Sequence, residues 1–212
     1  MSTIFIDFLE GLGTIKHYQQ AEIIDLDDLP PDHVFLVMDG IVKHTFYGAT
    51  GEETVYMILK KGAIFGEITY FRQDKNMVLT QAMSNCTIAE INSSEFEQVL
   101  AAHPELYKHI AELMAWKMRV VMSQIKDLAF GSAGQRVARR LLHLAKYHGT
   151  SQEDGSVLID LDLTHQELAN MASAYRSTVS RVLNAMRKHG LVETKRKQIT
   201  VLDLDGLKNW QE

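Results

Sequence analysis

Residues 164–190 read Thr164-His165-Gln166-Glu167-Leu168-Ala169-Asn170-Met171-Ala172-Ser173-Ala174-Tyr175-Arg176-Ser177-Thr178-Val179-Ser180-Arg181-Val182-Leu183-Asn184-Ala185-Met186-Arg187-Lys188-His189-Gly190. Thr164 and Glu167 stand at capping-box spacing just ahead of the apolar Leu168, Ala169 and Met171, which predicts a helix start at Thr164. That helix is short and ends near Met171-Ala172-Ser173. A second helix follows. Val179, Val182, Leu183 and Met186 fall on one face, with Arg176, Ser180, Arg181 and Arg187 on the other. Gly190 after His189 supplies the left-handed residue that stops it. Leu191–Thr194 and Gln198–Val201 then read as two short strands around Lys195-Arg196-Lys197. Helix, tight turn, helix and basic hairpin make a winged helix-turn-helix.

This arrangement suits double-stranded DNA. A helix with Arg and Ser near its N-terminal end can offer them to base edges in the major groove, where arginine pairs with guanine O6 and N7. Ser177, Thr178 and the helix N-terminus can meet phosphate, and Lys195, Arg196 and Lys197 are placed for the backbone beside the groove. Charge agrees. Residues 131–199 carry 11 Lys and Arg against 6 Asp and Glu, whereas residues 1–130 carry 10 against 18. The chain's net −5 therefore hides a basic module. Charge alone does not separate a polyanion partner from a solvated face, and a winged helix can also serve protein contacts.

Working back towards the N-terminus, residues 104–129 switch to a helical period. Leu106, Ile110, Met114, Met118, Val121, Ile125 and Leu128 recur every three or four positions. A helix of about 25 residues is about 37 Å long, and a near-heptad seam of that length packs on another helix. Ile110, Met114, Met118, Val121, Ile125 and Leu128 are the expected homodimer seam; packing of one side on the preceding domain is the alternative. Ala129-Phe130-Gly131-Ser132 interrupts the pattern. Ser132 is placed to cap a helix reaching about Tyr147, with Val137, Leu141, Leu142, Leu144 and Ala145 inward and Arg136, Arg139 and Arg140 outward. Gly149–Ser156 reads as a polar loop.

The first 92 residues are short apolar runs at Glu22–Leu26, Val34–Met38, Ile41–Phe46, Thr54–Leu59, Met77–Met83 and Thr87–Ile91. Gly, Pro and Asp punctuate them at roughly ten-residue spacing, the pattern of an all-β sandwich or barrel. A short helix precedes Gly11, and Ser93-Ser94 can cap another through Leu100. The expected architecture is α+β: a β domain over 1–103, a long helix and hinge over 104–130, and a winged helix-turn-helix over 131–212.

Several classes are excluded by composition. No apolar run is long enough to span a bilayer, so no membrane partner is expected, and the first residues lack the pattern of a signal peptide. Cys86 is the single cysteine, which rules out an internal disulfide and a cysteine-ligated iron–sulfur cluster. A cytoplasmic protein is expected. No HExxH, Walker loop or G-x-S-x-G is present, so no enzyme is expected.

The order of parts resembles the cAMP receptor protein/FNR (CRP/FNR) family of bacterial transcription regulators, over nearly the whole chain. Gly62-Ala63-Ile64-Phe65-Gly66-Glu67, Leu128-Ala129-Phe130 at the hinge and Tyr175–Arg181 carry the likeness. The resemblance implies a cyclic-nucleotide-binding-like jelly roll, or β-roll, as an N-terminal sensor, a long dimerisation helix and a C-terminal helix-turn-helix. It places Arg176, Ser177, Ser180 and Arg181 at base-reading positions and Thr164, Gln166 and Thr178 on phosphate. Ser177 departs from the family's usual glutamate, so the resemblance does not carry the family's usual half-site over to this chain. A two-fold dimer still calls for a near-palindrome with half-sites about one helical turn, ~34 Å, apart. The loop Thr150–Ser156 faces RNA polymerase by the same resemblance.

The sensor departs further. Cyclic-nucleotide-binding members hold the cyclic phosphate with an Arg-Ser pair, and those positions here are Met77 and Val78. Polar residues that reach the purine appear as Val121 and Met122. Burying a phosphate without a partner costs several kcal/mol, so these residues argue against cAMP. Gly66, Glu67, Met77, Val78, Met118, Val121 and Met122 outline instead a space between roll and long helix suited to a small apolar or aromatic effector. A filled core with no ligand, in a regulator controlled by abundance, and a haem-based sensor using one of the nine histidines stay open.

Overall fold

In a computed structural model, the described residues are 4–24, 33–72 and 78–211. Along the chain they form α1 (Ile4–Leu9), β1 (Thr14–Tyr18), β2 (Ile23–Ile24), β3 (His33–Asp39), β4 (Ile41–Tyr47), β5 (Glu53–Lys60) and β6 (Ile64–Phe65). Then come α2 (Glu67–Arg72), β7 (Leu79–Ala82), β8 (Cys86–Asn92), α3 (Ser93–Ala102) and the 25-residue α4 (Leu106–Phe130). The remainder is α5 (Ala133–His148), β9 (Gly149–Ser151), β10 (Val157–Ile159), α6 (His165–Ala172), α7 (Arg176–Lys188), β11 (Val192–Lys195), β12 (Gln198–Val201) and α8 (Leu204–Lys208). The chain divides into two units, Met1–Tyr47 with Val55–Val120 and Gly48–Thr54 with Val121–Glu212. The tip of the β4–β5 hairpin thus belongs to the second unit.

The first unit holds two four-stranded sheets, β1-β8-β3-β6 and β2-β7-β4-β5. β3 is buried on both faces. Val34 and Leu36 pack with Phe5, Leu9, Phe96, Leu100, Leu106, Ile110 and Leu113 from the helices. On the other face, Phe35 stacks on Phe65 at 4.9 Å, and Phe65 meets His44 of the second sheet edge-on at 5.5 Å. Each fully buried Leu, Ile or Phe of this core contributes about 1.5–3 kcal/mol.

α3 is capped by Asn92 rather than by Ser93 or Ser94. Its Oδ1 accepts from the Glu95 N–H at 3.0 Å, and Glu95 Oε2 accepts from the Asn92 N–H at 3.4 Å. β1, β6 and α2 are not expected from the sequence. β1 is a largely exposed strand with polar residues at alternate positions, and β6 has two residues, too few for a period to show.

In the second unit, Ser132 caps α5 in a reciprocal box with Gln135, and the break between α4 and α5 falls at Gly131-Ser132. α5, α6 and α7 bury Val137, Leu141, Leu144, Leu168, Val179, Val182 and Met186 together with Ile199 and Val201 of the sheet β11-β12-β10-β9. Part of the stretch read as a polar loop is strand: Gly149–Ser151 pairs with Val157–Ile159, and only Gln152–Ser156 turns.

Candidate functional site

In the first unit, Gly66 precedes α2 at φ +84, and a Cβ there would sit 2.8 Å from the His33 carbonyl oxygen. Only glycine fits so close a turn. The next residue, Glu67, is 2% exposed. Lys117 of α4 reaches it, donating to Glu67 Oε1 at 2.7 Å and to the Ile64 carbonyl at 3.0 Å. A carboxylate so buried requires such a partner. Near the pair lies His44, whose ring is lowered to about 3 by burial and then by the Lys117 charge. Its imidazole is therefore neutral and shares a 2.9 Å hydrogen bond with Thr80 Oγ1 through Nδ1. Tyr56 stacks on His44, and burial, with the Glu67 charge, pushes its phenol up. A cation, an anion, a neutral imidazole and a phenol converge inside the roll.

This corrects the expected apolar, methionine-lined space. Met77 lies outside the described residues. Val78 and Val121 are half-buried, while Met118 and Met122 are 60% and 61% exposed. Successive helix residues diverge by about 100°, so the turn that sends Lys117 into the roll sends Met118 away from it. Met114, Met118, Met122, Ile125 and Leu128 instead form an exposed apolar row on α4. Ile110, expected on the seam, packs in the core of the first unit beside Leu106 and Leu113. Among the described residues no cluster of His, Cys, Asp or Glu could hold a metal ion.

In the helix-turn-helix, Thr164 takes extended backbone, and its Oγ1 accepts from the Glu167 N–H at 3.1 Å while Glu167 Oε2 accepts from the Thr164 N–H at 2.7 Å. α6 stops at Ser173, in the left-handed region at φ 46. Arg136 of α5 holds this turn. Its Nε donates to the Ala172 carbonyl and one terminal nitrogen to the Ser173 carbonyl, both at 2.9 Å, while the other reaches the Gly131 carbonyl at 3.0 Å. Arg139 pairs with Asp127 at 2.6 Å. Burial lowers Arg140 to about 10, opposed by the Asp127 charge. Of the α5 arginines expected to point outward, Arg139 is exposed, while Arg136 and Arg140 are half-buried and Arg136 holds the turn.

Arg176, Ser177 and Arg181 are exposed on α7, and Thr178 and Ser180 are half-buried. Two predicted contact residues are engaged by residues the sequence does not single out. Gln166 Nε2 donates to Asn170 Oδ1 at 2.7 Å, and Asn170 Nδ2 donates to Glu53 Oε2 at 2.7 Å. Ser180 Oγ and His165 Nδ1 share a 2.8 Å hydrogen bond. On the wing, Arg196 is exposed, Lys195 lies 3.6 Å from Glu193 and Lys197 lies 3.3 Å from Asp162. Capping-box spacing locates Thr164 from sequence alone, but no local pattern marks His165, Asn170 or Lys117, whose partners come from distant segments.

Residues 15–103 match the cyclic nucleotide-binding domain model and residues 135–210 the Crp-like helix-turn-helix domain model. The cAMP-activated global transcriptional regulator CRP of Pasteurella multocida is 28% identical over 196 residues, covering 92% of this chain and 92% of that protein. The anaerobic regulatory protein of Bacillus subtilis is 24% identical over 193 residues, covering 91% of this chain and 81% of that protein. A CooA variant from Carboxydothermus hydrogenoformans superposes with a TM-score of 0.78 at 25% identity, covering 92% of this chain and 86% of that one. A CRP/FNR-family regulator from Thermus thermophilus, 24% identical, shares the fold with a TM-score of 0.75, over 92% of this chain and 96% of that one. The Pasteurella, Bacillus and Thermus relatives are regulators and not enzymes. With a cyclic nucleotide-binding-type roll, a long helix and an exposed α7 behind a capped α6, the chain belongs to the CRP/FNR family of DNA-binding transcription regulators.

Proposed function

We propose that the protein acts in the cytoplasm as a homodimer on near-palindromic operators, contacting RNA polymerase through the β9–β10 turn and switched by a small effector other than cAMP. The observation that carries this reading is the exposed row Met114, Met118, Met122, Ile125 and Leu128 on α4. A second copy laid along it removes the row from water, and two α7 helices then meet DNA as a symmetric pair. The effector site in this reading is the cluster around Glu67, Lys117 and His44. A cyclic phosphate is a poor match for it, because drawing Lys117 away would leave Glu67 buried without its cation.

A second reading, a regulator without ligand and controlled by its abundance, is favoured by the same ion pair, since Glu67 and Lys117 satisfy each other. Sedimentation, native mass spectrometry and an absorption spectrum of protein from its own cells test these readings. A dimer carrying extra mass supports the effector, and a Soret band would identify it as haem. A dimer without added mass, whose DNA affinity no ligand in a library shifts, supports the second reading. A monomer at micromolar concentration overturns the dimer.

A further inference from the structure

His165 is the first residue of α6, and Ser180 stands on α7 one turn after Arg176. His165 Nδ1 and Ser180 Oγ lie 2.8 Å apart, and both residues are half-buried. A serine hydroxyl alone is an ambiguous reader, because it donates one hydrogen bond and accepts two. It can give to guanine N7 or O6 and to thymine O4, or take from adenine N6 or cytosine N4. The imidazole couples that choice to its own tautomer. If Nδ1 carries hydrogen, it occupies a lone pair of Ser180 and leaves the O–H to donate. If Nδ1 is bare, it takes the Ser180 hydrogen and leaves only lone pairs for DNA.

We infer that His165 is a specificity-determining residue: by holding the Ser180 hydroxyl in one sense, it makes Ser180 discriminate between base pairs. Its action is positional, passing through Ser180. The inference rests on α7 being the base-reading helix, and the test separates the two.

Duplexes selected from a random library by the full-length protein are measured by fluorescence anisotropy, with each operator base pair substituted in turn. Ser180→Ala marks the pair that Ser180 reads, at which the unmodified protein prefers one base by about fivefold, the scale of one hydrogen bond. His165→Ala is expected to bring that preference below about twofold at this pair alone, with the double variant no weaker than either single. His165→Asn, whose amide can occupy the Nδ1 position, is expected to keep it. The inference is overturned if Ser180→Ala alters no single position, if His165→Ala leaves the preference intact, or if it weakens every sequence equally, as loss of a phosphate contact or of the α6 start would. Arg181→Ala is the control. A position-specific effect there with none from His165 sinks the inference alone, whereas none from any α7 variant sinks the reading of α7.

Discussion

Glu53, at the start of β5, accepts a 2.7 Å hydrogen bond from Asn170 of α6 across 117 positions of sequence, and Asn170 in turn holds Gln166. A carboxylate is thereby brought beside a residue at a phosphate-contact position of the family pattern. Glu53→Gln keeps a hydrogen-bonding group and removes the charge, and like charges repel most at low salt. DNA affinity is expected to rise about two- to fivefold at low salt and less at high salt. Equal affinity at both salt concentrations would show that Glu53 lies away from the DNA path.

Lys117→Met leaves Glu67 buried without its cation, which costs about 3–5 kcal/mol of stability. Adding Glu67→Gln removes the stranded charge and is expected to recover most of the loss. Urea denaturation of both variants checks this. A single variant within about 1 kcal/mol of the parent would mean that Glu67 finds water or another donor.

His44 is held neutral in the fold at about 3, well below its ordinary 6.5. The unfolded chain then binds the extra proton between these values, so stability falls as pH drops below about 6.5. The slope from this one group approaches about 1.4 kcal/mol per pH unit and ends near pH 3. Urea midpoints at pH 7, 6 and 5 measure it, and His44→Asn is expected to flatten the dependence. An unchanged slope in that variant would assign the effect elsewhere, for instance to His143, which burial lowers to about 4.

Arg181→Ala is expected to cost about 1–3 kcal/mol on selected operators and to relax base preference at its position. Lys195→Ala is expected to weaken all duplexes alike and flatten the salt dependence by about one unit of slope. Lys197, 3.3 Å from Asp162, is expected to contribute less than Lys195. Anisotropy titrations over a salt series distinguish the three.

Met118→Glu places a charge in the middle of the exposed row on α4. The full-length variant is expected to sediment as a monomer with its secondary structure intact. Because Met118 is 60% exposed in the single chain, folding itself is not expected to suffer. A variant that remains dimeric would remove α4 as the seam.

How much of this is legible in the sequence follows the range of the interactions. Thr164 with Glu167, Ser132 at the head of α5 and Gly190 after α7 act within a few residues, and reading them locates the helix-turn-helix, its wing and the break between α4 and α5. The apolar runs of β3, β4 and β8 are equally plain. Lys117 is not, because its reason for facing the roll is Glu67, 50 residues away. Periodicity sorts apolar from polar positions but cannot say which polar side chain has a buried partner, so the methionines of α4 read as the lining of a pocket. Ile110 belongs to a row that changes its role along its length, covered at one end and exposed at the other. Arg136 and Arg140 read as outward because what they meet, backbone carbonyls for Arg136 and the Asp127 charge for Arg140, is contributed by other segments, whereas Arg139 is exposed as read.

Arg136 grips carbonyls at two places, Gly131 at the break between α4 and α5 and Ala172-Ser173 at the α6–α7 turn. A guanidinium is a flat plate whose nitrogens keep fixed separations, so it cannot stretch to follow two moving ends. Any swing about Gly131 must therefore carry the α6–α7 turn along as a passenger or snap at least one of the three bonds. The break between α4 and α5 is tied to the α6–α7 turn through this side chain, and a lysine there, with one nitrogen in place of three, would let the clutch slip.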